Sequence, residues 1–76
     1  MNDTRRKKIK EIYEKIEDIK SDIEEVLDEE QNALDNMPES FEGTERYAIA
    51  ENAVENLDSA IMGLDEALEY LGEAKS

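Results

Sequence analysis

Ten carboxylates and no base lie between Ser21 and Glu45: Asp22, Glu24, Glu25, Asp28, Glu29, Glu30, Asp35, Glu39, Glu42 and Glu45. Acids at this density can hold a cation, relay protons or attract a positive surface. Asp28-Glu29-Glu30 lacks the ligand spacing and central glycine of a calcium loop, so it offers calcium or magnesium only weak attraction. The chain has no histidine and no cysteine. That removes the commonest general base, the commonest metal ligand and any thiolate chemistry. Carboxylate di-metal bundles need Glu-x-x-His on facing helices, which is impossible here. Gly43, Gly63 and Gly72 are isolated and form no phosphate-cradling loop. The expectation is a non-enzymatic protein with no catalytic residue, no metal site and no cofactor.

What remains for the acids is electrostatic. The first 20 residues hold seven bases (Arg5, Arg6, Lys7, Lys8, Lys10, Lys15, Lys20) against five acids, a net +2. Residues 21–76 hold 17 acids against Arg46 and Lys75, a net −15, and the two parts make up the −13 of the whole chain. Direct binding to DNA or RNA is not expected, since affinity for phosphates needs a basic face. Two readings of the acidic run stay open: a solvated face that keeps the chain soluble, or a surface that meets a basic protein, through Asp22, Glu24, Glu25, Asp28, Glu29 and Asp35.

The elements that carry these charges follow from heptad spacing. Ala53, Ala60, Ala67 and Ala74 recur every seventh residue. So do Leu57, Leu64 and Leu71, with Ala50 before them, and so do Val54, Ile61 and Leu68. Three rows make one broad apolar face on a helix of roughly 30 residues. The alanine row is a strip where another backbone can approach toward the short end of about 8–10 Å. Helix packing and oligomer contacts are therefore expected from Ala53, Leu57, Ala60, Ile61, Leu64, Ala67, Leu68 and Leu71.

Nearer the N-terminus, Ile9, Ile16 and Ile23 form one row, with Met37 in register, and Ile12, Ile19, Val26 and Ala33 form a second. Tyr13, Leu27 and Leu34 widen the face. Asp3 or Thr4 is expected to cap this helix. Pro38 disfavours helical geometry at Met37, so the helix ends near Asn36. Glu30 interrupts the first row: either it sits at the stripe's edge with its head in water, or it is a buried acid meeting Tyr47 or Arg46. Thr44 is the expected cap of the second helix, with Glu45 in its first turn. Phe41, in the loop, either plugs the end of the core or serves a binding role.

Two helices of about 4–36 and 44–74, joined by a loop over 37–43, predict an all-α antiparallel hairpin comprising one domain, 1–76. In it the basic end is expected to lie beside Glu66, Glu69 and Glu73. Two helices cannot enclose faces three rows wide, and isoleucine in both core rows of the first helix favours larger assemblies. A homodimeric four-helix bundle is therefore expected. No stretch has the length of a membrane span or a signal-peptide core, so the chain is expected in the cytoplasm.

The segment from Asp28 to Ser40, with Gly43-Thr44-Glu45-Arg46 and the Leu/Ala heptads, resembles a group of short acidic proteins encoded by bacteriophages and prophages, across about two thirds of the chain. The resemblance implies a phage setting in a bacterial host and no mechanism. Small phage proteins often act by binding a host or phage protein. The expected function is thus an inhibitor or adaptor whose acidic end engages a basic surface, such as that of a host defence protein. Two alternatives stand beside it: a structural or assembly factor lending helices to a virion or coiled-coil partner, and a small-ligand or nucleotide sponge between subunits using Arg5, Arg6 or Arg46.

Overall fold

The computed structural model describes all residues from Met1 to Ser76. Helix α1 runs Asp3–Asp35 and helix α2 runs Glu45–Lys75, with a single 3-10 turn at Glu39–Phe41 between them. The two helices pack antiparallel into a rod of 59 × 15 × 13 Å. No helix is long and apolar enough to cross a membrane.

The chain ends its helices where local chemistry dictates. Asn2, not Asp3 or Thr4, caps α1: its side-chain oxygen accepts from the Arg5 amide at 2.8 Å. The cap slips back one residue because Asp3 is already helical, and its carboxylate pairs with Arg6 at 3.2 Å. At the far end Asn36 donates to the Asn32 carbonyl, and Pro38 stops propagation. Gly43 has φ of +80°, a conformation a side chain would resist, and it turns the chain back into α2. Thr44 caps α2 as expected, accepting from the Tyr47 amide at 3.3 Å while its hydroxyl donates to the Phe41 carbonyl.

The seam uses two rows from each helix. Ile9, Ile16 and Ile23 with Tyr13, Leu27 and Leu34 on α1 are half-buried, as are Ala50, Leu57, Leu64 and Leu71 with Val54 and Ile61 on α2. Only Leu68 is truly buried, at 8% exposure. The third row of each helix stands beside the seam. Ile12, Ile19 and Val26 are 38%, 50% and 46% exposed, and Ala33, Ala60 and Ala74 are exposed as well. Ala53 and Ala67 of the alanine row are half-buried, so the strip borders the seam on one side while Ala60 and Ala74 stay open.

Tyr13 packs near Gly72, and Lys20 pairs with Asp65. Seven residues forward on α1 match seven backward on α2, so the register is fixed. By that register α1 outruns α2 at the free end: its residues 3–9 project past Lys75 by roughly 10 Å. The basic cluster thus does not lie along Glu66, Glu69 and Glu73, and no ion pair joins them. The one cross-helix ion pair is Lys20–Asp65, while Lys75 stacks on the Tyr13 ring at 4.4 Å.

The accessible area is 5813 Å². A compact monomer of 8.7 kDa exposes about 4,700 Å². The hairpin carries roughly 1,100 Å² more, as its elongated rod shape requires.

Leu68→Ala should remove about 2–5 kcal/mol, since it opens the one fully packed layer. Met62→Ala, on a side chain 62% exposed, should change stability by no more than about 0.5 kcal/mol. Urea unfolding followed by far-ultraviolet circular dichroism separates the two.

Candidate functional site

Heptad rows sort the acids onto different sides of the rod. Asp28 and Asp35 share one row, and Glu24 lies close to it, on the flank where α1 meets Glu55 and Asp58 of α2. There Leu27, Asp28, Gln31, Val54, Glu55 and Asp58 line an open hollow. Leu27 and Val54 form its apolar floor, and three carboxylates and one amide form its rim. Gln31 donates to Asp35 at 2.9 Å, which ties the rim to the next turn.

Asp22 and Glu29 form a second row on the opposite flank, and Glu25 points away from α2 altogether. The six acids expected to bind a partner thus form no single surface. Asp28, Asp35 and Glu24 belong to the hollow; Asp22, Glu29 and Glu25 do not. Glu55 and Asp58 complete the hollow and were missed because they lie far along the chain in a helix read for its apolar rows. Their spacing of three, which places both on one side of α2, was the available signal.

Electrostatically the hollow is uncompensated. The ion pairs of the hairpin are Arg6–Asp3, Lys20–Glu24 and Lys20–Asp65, all toward the basic end. None involves Asp28, Asp35, Glu55 or Asp58. Arg46, the one base near the acidic end, rests on the Phe41 ring at 5.9 Å. Phe41 itself lies with Ala33, Met37 and Pro38 beside Arg46, closing the loop end while remaining 38% exposed. Glu30 is half-buried at the edge of the seam and makes no hydrogen bond to Tyr47 or Arg46. The last turn of α1 contains no base, so its carbonyl-rich end adds to the negative field.

Lys20 has its pKa raised above the ordinary lysine value, chiefly by its hydrogen bond to Asp65; desolvation opposes this, and the charges of Asp65, Glu24 and Glu17 add smaller upward pushes. A raised lysine pKa stabilises the fold below the unfolded-state value, and that contribution fades as pH rises through the folded one. The lysine's contribution is therefore constant through neutral pH and fades in alkali.

No three carboxylates converge as a metal site requires. Arg5 and Arg6 lie at the free end and Arg46 at the loop end, so one hairpin does not gather them into a common anion site. Compared with protein-family models, curated proteins and solved structures, the chain matches none.

Because the hollow's carboxylates repel one another unpaired, thermal stability should rise as salt is added up to about 0.5 M, where the Debye length drops to a few ångström. The triple variant Asp28→Asn, Glu55→Gln, Asp58→Asn should be more stable than the parent at low salt and lose that advantage at high salt. Scanning calorimetry at both ionic strengths checks this.

Proposed function

We propose that the protein is a non-enzymatic binding module that captures a basic protein surface through the acidic hollow between α1 and α2. The observation that carries this is the combination at Leu27, Val54, Asp28, Glu55 and Asp58: an apolar floor ringed by carboxylates without a counter-ion. A solubility face needs no floor and no particular position. A lysine- or arginine-bearing amphipathic helix fits the hollow on both counts, its apolar edge on Leu27 and Val54 and its bases toward the rim. Attraction of this kind steers encounter and depends on salt. In the phage setting that the sequence resemblance implies, the basic partner is a host or phage protein and the module acts as an inhibitor or adaptor. The protein is taken to work as a homodimer through its other flank.

The test is binding of a lysine-rich amphipathic helical peptide, followed by fluorescence anisotropy. The Asp28→Asn, Glu55→Gln, Asp58→Asn variant should bind at least tenfold more weakly, the loss expected when steering charges are removed. Neutralising Glu66, Glu69 and Glu73 instead should leave binding largely intact. Equal binding by the two variants, or binding indifferent to salt, would reject the acidic hollow.

A further inference from the structure

The flank opposite the hollow is built differently. On α2, from Tyr47 to Ala74, all seven acids fall on three of the seven heptad rows. The seam rows, the alanine row and the row Ile49, Asn56, Gly63, Tyr70 carry no charge. In a chain that is 41% charged, α2 is uncharged over more than half its circumference, and α1 covers only one side of it. On α1 the matching flank is the exposed row Ile12, Ile19, Val26. Each of its residues immediately precedes a seam residue (Tyr13, Lys20, Leu27), as Ala60 and Ala67 precede Ile61 and Leu68. In right-handed antiparallel helices, equivalent positions turn to the same side of the pair. The bulky row and the alanine row therefore lie side by side on one face.

We infer that this face is covered by a second copy of the chain, lying head to tail, with its two-fold axis passing beside Ile19 and Ala67. This rests on the reading that the hairpin pairs with itself, and adds the polarity and register of that pairing. One placement of the axis satisfies every row. Centred at Ile19, it sets Ile12 against Val26 of the second copy. The next row outward then brings Lys8 within one residue of Glu29 and Lys15 within one residue of Asp22 of the second copy. The hairpin register puts Ile19 level with Glu66, within one residue of Ala67. The same axis therefore sets Ala67 against Ala67, Ala60 against Ala74, and Gly63, which leaves room, against Tyr70. The parallel alternative stacks the net −10 of residues 21–45 on itself. The head-to-tail one lays the projecting turn with Arg5, Lys7 and Lys8 along the other copy's acidic end.

The chain has no cysteine, so single cysteines placed on the face report its geometry without background. Ile12, Ile19 and Val26 are exposed enough that replacing one leaves the hairpin folded, which circular dichroism verifies. Under mild oxidation or a short bis-maleimide, Ile19→Cys should cross-link to itself. A mixture of Ile12→Cys and Val26→Cys should give the mixed dimer, while either variant alone should not. Cross-linking of Ile12→Cys to itself would show a parallel pair and overturn the head-to-tail arrangement while leaving dimerisation standing. A wild-type chain that sediments as a monomer at high concentration would overturn the pairing itself. Lys8→Glu with Lys15→Glu should weaken the dimer on the order of tenfold at low salt, and adding Asp22→Lys with Glu29→Lys should restore it. Failure of that rescue would reject the proposed register. None of these residues lines the acidic hollow, so peptide binding and cross-linking can fail separately.

Discussion

Each helix offers an apolar face three rows wide, and a single neighbouring helix covers only two of them. That mismatch shapes the whole molecule. It leaves Leu68 as the one buried side chain and every other seam residue half-wet. It also strands Ile12, Ile19 and Val26 in solvent beside a strip of alanines. A hairpin of this size has little hydrophobic surplus to set against chain entropy, so the uncovered rows are where further stabilisation must come from.

Charge follows the same partition. Toward the free end Lys20 bridges the helices to Asp65 and to Glu24 on its own helix. Toward the loop no ion pair involves Asp28, Glu55 or Asp58. The rod therefore has two flanks of different chemistry. One is a carboxylate-ringed hollow over Leu27 and Val54. The other carries no charge on α2 and is bordered on α1 by Lys8 and Lys15 followed by Asp22 and Glu29. On the functional reading proposed above, the first flank meets a basic partner and the second meets another copy. The two roles can coexist because they use opposite sides of the rod.

The sequence alone settled the helices, the hairpin and the Thr44 cap. These depend on spacing and on local backbone chemistry: heptads for the faces, Pro38 and Gly43 for the turn, a hydroxyl before Glu45 for the start of α2. The cap of α1 escaped by a residue because Asp3 was free to serve Arg6 once Asn2 had taken the amide. What only the tertiary structure decided was the pairing of rows. Spacing shows which residues share a side of their own helix, but the rotation of each helix about its axis, and the stagger between the two, arise from their mutual packing. That rotation turned the alanine row to the flank. It joined Asp28 to Glu55 and Asp58 and parted Asp28 from Asp22 and Glu29. The stagger set Lys20 on Asp65 and carried the basic first turns beyond the end of α2, away from Glu66, Glu69 and Glu73.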